Sequence, residues 1–193
     1  MNEFNELLYD EIIPRLFRLL FDLQASEERE EHEVELIKLP ASGYYEVTAE
    51  KDKIVRLVDA PEAERGKSFH LDTYCFDSNP ERTLFWDLLR ERRVKRVYFT
   101  GMLTHGQSDF YIQYIDPDSH TVRSYYPDFV FLRAEPNGSE KYVIVEVKRD
   151  DQIVDAVVQA KKDFAQQLAV ASGMEYRLIK ASVAGDRGYR QLL

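Results

Sequence analysis

The sequence predicts an α/β fold: a central mixed sheet flanked by helices, preceded by an N-terminal helix and a short β extension. Three observations predict it. Two runs, residues 125–131 (YYPDFVF) and 142–148 (YVIVEVK), are rich in aromatic and β-branched residues and read as strands. Between them, a stretch containing Pro136 and Asn137-Gly138 turns the second strand back beside the first. Helical patterns flank the pair, one at about 78–92 and one at about 152–172.

Residues 2–24 read as an amphipathic helix. Phe4, Leu7, Leu8, Ile12, Leu16, Leu19 and either Leu20 or Leu23 recur at helical spacing, and Pro14 is expected to kink or divide the helix. Its apolar stripe is either core packing or a docking face for a partner or an upstream segment. The acidic run at 26–35 reads as a solvated linker. Short strands are expected at 34–39, 44–49 and 54–58, with a loop over 59–70. These residues form an extension (1–70) to the main domain (71–193).

Ser78 reads as the N-cap of the next helix, with Glu81 as its capping-box partner and Phe85, Leu88 and Leu89 on its apolar face. Arg90, Arg92, Arg93, Lys95 and Arg96 then form a dense basic cluster. Residues 94–100 read as extended, 101–107 as a loop that includes His105, and 109–115 as a strand. Asp116 to His120 form a turn, and 121–126 lead into the Pro127-Asp128 strand. After Lys148 the helix at 152–172 ends at Gly173, a C′ position, and 175–181 form a last strand.

Strand alternation gives the 142–148 run its point of interest. Val143, Val145 and Val147 face one way, and Ile144, Glu146 and Lys148 the other. The hairpin brings Asp128 toward the same end. Acids converging on one lysine are costly to hold together without a counter-ion.

Pro127-Asp128, a long gap and then Glu146-Val147-Lys148 resemble the signature of the PD-(D/E)XK nuclease superfamily. The order of elements resembles its αβββαβ restriction-endonuclease-like core, with 94–100 as an addition. Within the superfamily, the stretch from Tyr98 to Asp128 resembles the C-terminal nuclease domain of type III restriction subunits. Transposon-end-cutting endonucleases share the layout. The resemblance covers roughly residues 72–181.

The resemblance implies a Mg²⁺-dependent DNA endonuclease, with Mn²⁺ as a substitute. Asp128 and Glu146 would be carboxylate ligands, the Val147 carbonyl another, and Glu81 a third acid. Lys148 would orient or deprotonate the attacking water, or stabilise the charge of the transition state. Gln159 and Lys162 stand where related nucleases place a polar helper. The basic cluster would contact backbone phosphates. Each residue also has a plainer reading: Asp128 starts a strand, Glu146 and Lys148 form an ion pair, Glu81 is a cap, and the basic cluster faces solvent.

The formal net charge of −9 argues against tight autonomous binding to DNA. No Walker loop or helicase motif is present. The resemblance therefore implies a helicase/ATPase or methylation-recognition partner, in trans or in a missing N-terminal region. The host would be a type III restriction-like or phage-defence system. A transposon-end nuclease, or a catalytically silent nucleic-acid-binding module on the same fold, is the alternative. Cys75 is alone, which excludes an intrachain disulfide. No membrane-length apolar run or signal pattern occurs, so a cytoplasmic location is expected.

Overall fold

The computed structural model describes residues 7–26, 33–103, 106–187, 190 and 192–193, with the backbone alone over 21–26. Phe4, most of the acidic run and His105 lie outside the described residues.

A π-helical turn, Leu7–Ile12, runs into α1 (Ile13–Ser26). The change of helix type falls just before Pro14. Proline cannot donate to the carbonyl four residues back and its ring crowds that carbonyl, so the turn before it widens. Leu7, Ile12, Leu16, Leu19 and Leu20 of the expected apolar stripe are exposed.

Residues 33–50 hold no strand, contrary to expectation. Two isolated backbone bonds tie the segment down, Lys38 N–H to the Gln107 carbonyl (2.8 Å) and Asp109 N–H to the Glu35 carbonyl (2.9 Å). Pro40 and the left-handed Gly43 (φ 76°) then break the run before a ladder forms. The next elements are β1 (Ile54–Arg56), α2 (Glu62–Arg65) and β2 (Thr73–Cys75). β1 and β2 pair antiparallel, across the domain boundary expected at residue 70, and Val55 and Tyr74 join the main core.

The main unit is α3 (Asn79–Arg90), β3 (Val94–Phe99), β4 (Ile112–Ile115), β5 (Val122–Tyr125), β6 (Phe129–Ala134), β7 (Glu140–Lys148), α4 (Ala156–Ala171), β8 (Glu175–Lys180) and α5 (Ala181–Gly185). Its mixed sheet has the order β3-β6-β7-β8, with β8 parallel to β7 and the other pairs antiparallel. This is the restriction-endonuclease-like fold: a central mixed sheet between α3 and α4. One assignment is corrected. The segment at 94–99 is a core strand, and the inserted piece is the separate β4–β5 hairpin. Local composition marks both as extended, but only partner choice decides which enters the main sheet.

Two apolar layers cover the sheet. On one face Leu84, Phe85, Leu88 and Leu89 of α3 meet Val97, Phe99, Phe129, Phe131, Val143 and Val145. On the other, Ile144 meets Ala165 and Ala169 of α4 together with Ile112, Tyr114 and Tyr125 of the hairpin. The caps follow the expected chemistry. Ser78 Oγ accepts from Glu81 N–H while the Glu81 carboxylate accepts from Ser78 N–H, closing a capping box. Gly173, at φ 68°, ends α4. No helix among the described residues is long and apolar enough to cross a membrane.

Candidate active site

The site forms where the β6–β7 ladder stops. Its last pair is Phe129–Val145. Pro127, the residue that would next supply an N–H, has none. β7 runs on through Glu146, Val147 and Lys148 with only β8 beside it. Past the end of the ladder the Asp128 carboxylate is the acceptor beside β7: its Oδ2 accepts from Val147 N–H at 2.7 Å. A side chain thus replaces a backbone partner, which orients the carboxylate.

The loop after β3 fixes the other side of Asp128. Thr100 N–H and Gly101 N–H both donate to the Asp128 carbonyl (2.9 and 3.1 Å), and the Thr100 hydroxyl donates to the Pro127 carbonyl (2.5 Å). A Cβ on Gly101 would stand 3.2 Å from both Asp128 Cα and Asp128 Oδ1. Only glycine allows this approach without displacement.

Glu146 lies on the Asp128 side of the sheet and is 3% exposed. Its Oε1 pairs with Lys148 Nζ. Its Oε2 is buried and has no hydrogen-bond partner among the described residues. Burial, and then the neighbouring Glu146 charge, push the Asp128 carboxyl well above the usual carboxylate range, against the opposing pull of Lys148. Burial raises Glu146 also, and Lys148 offsets part of that. Burial alone would lower the Lys148 ammonium, but Glu146 and Asp128 outweigh it and hold it above its ordinary value. Two acids that resist ionising beside one firmly protonated lysine make an unbalanced polar cluster.

The remaining sequence candidates divide. Glu81 is buried, and its charge acts on Asp128 and Lys148 through space. Both of its oxygens serve the cap: Oε1 accepts from Ser78 Oγ (2.7 Å), and Oε2 accepts from Asp77 N–H and Ser78 N–H (3.1 and 3.3 Å). Among the described residues no group of three or more His, Cys, Asp or Glu side chains is arranged to hold a metal ion. Glu81 therefore adds negative charge in this arrangement but no free ligand oxygen. Gln159 is not at the acids either; its amide donates to the Ile153 carbonyl.

The lysine of α4 that faces the acids is Lys161, one residue before the expected Lys162. Its Nζ lies 5.3 Å from the Tyr114 ring centre and 5.0 Å from that of Tyr125, and it acts electrostatically on Glu146 and Asp128. Burial lowers its ammonium, and Glu146 restores part of the loss. Helical phase is the signal for it. Ala165 and Ala169 are buried, and Lys161 is four residues before Ala165 on the same face.

The basic cluster is elsewhere. Val94 pairs with Arg133 and Phe99 with Phe129, so the cluster lies at the opposite end of β3 from Asp128, about 15 Å along the strand. Arg90 pairs with Glu64 (3.1 Å) and lies over the Trp86 ring. Arg93 donates to the Ala134 and Leu193 carbonyls (3.1 and 2.7 Å). Arg90, Arg92, Lys95 and Arg96 are exposed, while Arg93 is half-buried and held by those two carbonyls. Clustering in sequence did not carry over to the site because a strand spreads consecutive residues along its length and over two faces.

Residues 102–181 match the family model of the TnsA-like endonuclease N-terminal domain. The match takes in Asp128, Glu146, Val147, Lys148 and Lys161 and stops short of Glu81. That model describes a restriction-endonuclease-like, PD-(D/E)XK nuclease family, and the match does not single out type III subunits. No curated protein and no solved structure matches the chain.

Proposed function

We propose that the chain is a divalent-metal-dependent DNA endonuclease that hydrolyses phosphodiester bonds at Asp128, Glu146 and Lys148. The observation that carries this reading is Glu146 Oε2, a buried oxygen with no partner among the described residues, on the same side of the sheet as Asp128. An orphaned carboxylate oxygen in a buried site is expensive. A hard cation satisfies it, and two carboxylates completed by water suit Mg²⁺, with Mn²⁺ as a substitute. The Val147 carbonyl opens to the same side of β7 as the N–H that Asp128 holds, so it is a further oxygen for the ion. Bound there, the ion supplies Lewis acidity to a phosphoryl oxygen and acidifies a water.

The chain's own groups do the rest. The contacts from Val147, Thr100 and Gly101 keep Asp128 in one orientation before substrate arrives. Lys148, held protonated by its neighbours, is better suited to donating hydrogen bonds to charge gathering on the phosphoryl oxygens than to taking a proton. Lys161 balances the acid pair from the α4 side.

The test is nicking of supercoiled plasmid in Mg²⁺ or Mn²⁺, with Lys148→Ala as control. Cleavage by the parent that Lys148→Ala loses supports the reading; no cleavage by the parent in either metal overturns it.

The TnsA-like match supports a transposon-end-cleaving role at least as well as a cleavage module of a type III restriction-like or phage-defence system. In either setting, a partner ATPase or recognition subunit supplies targeting, since the chain carries a net charge of −9. Comparing plain duplex, forked and transposon-end substrates separates the two.

A further inference from the structure

Chain direction brings Lys161 to the acids. Strand alternation puts Glu146 and Lys148 on the side of β7 that carries Ile144. Ile144 packs with Ala165 and Ala169 of α4 on that side. β8 lies parallel to β7, so α4, which joins them, runs the opposite way. From Ala165 back to Lys161 is about 6 Å toward the start of α4. From Ile144 on to Glu146 is about 7 Å toward the end of β7. The two steps point the same way and match in length, so Lys161 comes over Glu146.

The Lys161 ammonium is held in place without an acceptor. The Tyr114 and Tyr125 rings meet edge to face, with centroids 5.9 Å apart, and Nζ lies 5.3 and 5.0 Å from them. The Tyr125 hydroxyl donates to the Lys161 carbonyl (3.4 Å), which ties the helix to the hairpin. Ring faces attract a cation but do not accept its N–H groups as an oxygen does. Lys148 has its Nζ on Glu146 Oε1. Lys161 Nζ has no such oxygen among the described residues, although the side chain is half-buried.

Charge gives the group its role. Asp128 and Glu146 are the two acids of the site, and Lys148 and Lys161 the two lysines that act on them. With the carboxylates on a divalent ion, both lysines lack a counter-charge. A phosphodiester brings one negative charge, and attack by hydroxide adds another on the phosphoryl oxygens. Two ammonium groups on one side of the sheet match that total.

We infer that Lys161 is a second phosphate-binding lysine: its ammonium donates to a non-bridging oxygen of the phosphate being cut, from the α4 side, while Lys148 serves from β7. This rests on the nuclease reading above. No proton is transferred; the contact holds the phosphate and stabilises the charge that gathers on it.

The parent first nicks plasmid in Mg²⁺, and the cut positions are mapped. A duplex spanning a mapped cut is then titrated by fluorescence anisotropy over a range of salt. The proteins are Lys148→Met in Mg²⁺, which should bind without cutting, and the same variant carrying Lys161→Met. Loss of Lys161 should weaken binding about five- to tenfold and lower the salt slope by about one. The duplex is also made with a methylphosphonate at the cut, each diastereomer lacking one of the non-bridging oxygens. On the diastereomer without the oxygen that Lys161 holds, Lys161→Met should cost no affinity; on the other it should cost the full amount. Lys162→Met, the same change of charge one residue on, should leave affinity and slope as they were. In otherwise unchanged protein, Lys161→Met should melt at or above the parent temperature, since it removes a half-buried charge. It should cut about tenfold more slowly at saturating DNA and Mg²⁺; Lys161→Gln repeats the comparison should the methionine protein fold poorly. Failure of the parent to cut removes the nuclease reading and this inference together. A parent that cuts, with Lys161→Met keeping DNA affinity and salt slope, or losing affinity equally on both diastereomers, overturns the phosphate contact alone.

Discussion

Gly101→Ala sets two effects of opposite sign against each other. Gly101 does not adopt the left-handed conformation, so its backbone tolerates a side chain. On that ground alone alanine would stabilise by about 0.4–1 kcal/mol, by restricting the unfolded chain. The space around it argues the other way. A Cβ would meet the Phe99 ring at 3.1 Å and Asp128 Cα and Oδ1 at 3.2 Å each. Neither obstacle is a flexible side-chain end: Phe99 is 1% exposed, and the Asp128 backbone is clamped by three N–H and O–H donors around the Pro127-Asp128 peptide. Overpacking of this kind costs about 1–3 kcal/mol. The cost wins, for a net loss of about 1 kcal/mol and a fall in Tm of about 3 °C for a chain of this size. The displaced group is the carboxylate itself. A shift of a few tenths of an ångström should slow single-turnover nicking about five- to tenfold, beyond what the stability loss explains. Gly185→Ala is the control, since its Cβ would meet nothing nearer than Pro80 Cγ at 4.0 Å. It should melt at or slightly above the parent temperature and cut normally. A Gly101→Ala protein that melts no lower than the parent and nicks at the parent rate would refute the reasoning.

Millimolar Mg²⁺ or Mn²⁺ should raise the melting temperature of the parent, because an ion that binds only the folded acid pair stabilises it by mass action; Asp128→Ala should lose that rise in calorimetry. His70 is half-buried beside Tyr74, its Nδ1 2.9 Å from the hydroxyl, and desolvation lowers its imidazole to about 4. A folded value below the ordinary 6.5 means that stability is full above about pH 6.5 and is lost as pH falls toward 4. The loss should reach about 3 kcal/mol in denaturant titrations, and His70→Gln should flatten that slope. Arg133, 5% exposed, donates to Glu135 (2.6 Å), Glu175 (2.7 Å) and the Leu192 carbonyl (2.5 Å). Arg133→Leu should cost about 3 kcal/mol in urea unfolding by stranding those acceptors, and Arg133→Leu with Glu175→Leu should recover part of it.

The hairpin that carries the acids was legible because its signals are local. Strand composition, the Asn137-Gly138 turn and the alternation that puts Glu146 and Lys148 on one face all lie within a few residues of each other. Gly138 does take φ 86°, and its N–H donates to the Glu135 carbonyl at 3.0 Å. The Ser78–Glu81 box was legible for the same reason. What escaped the sequence was partner choice and phase. Residues 34–39 and 44–49 have strand composition, but among the described residues the first finds only isolated backbone bonds and the second enters no ladder, whereas residues 73–75, too short a run to read as a strand, pair with β1. In sequence nothing separates Lys161 from Lys162, because α4 also carries the apolar Leu168 and Val170 on its exposed side; the burial of Ala165 and Ala169 fixes the phase that turns Lys161 inward.

The site also shows why its motif has the form it does. A proline before the aspartate withholds the N–H that would extend the ladder beside β7. The Pro127 carbonyl accepts from the Thr100 hydroxyl, and the Asp128 carboxylate accepts from the Val147 N–H at 2.7 Å. That bond fixes one carboxylate oxygen, and the antiparallel register places Asp128 across from Glu146 on the same side of the sheet. Two residues on, alternation returns Lys148 to that side, where it pairs with Glu146. The proline, the aspartate and the glutamate-to-lysine spacing are therefore one geometric arrangement: the end of a ladder turned into a charged pocket. Replacing Pro127 with Ala restores an N–H that should donate to the Val147 carbonyl and extend the ladder by one bond, taking that oxygen away from the ion. Stability would then hold or rise while metal binding falls, and amide hydrogen exchange at position 127 would show whether the new N–H is bonded.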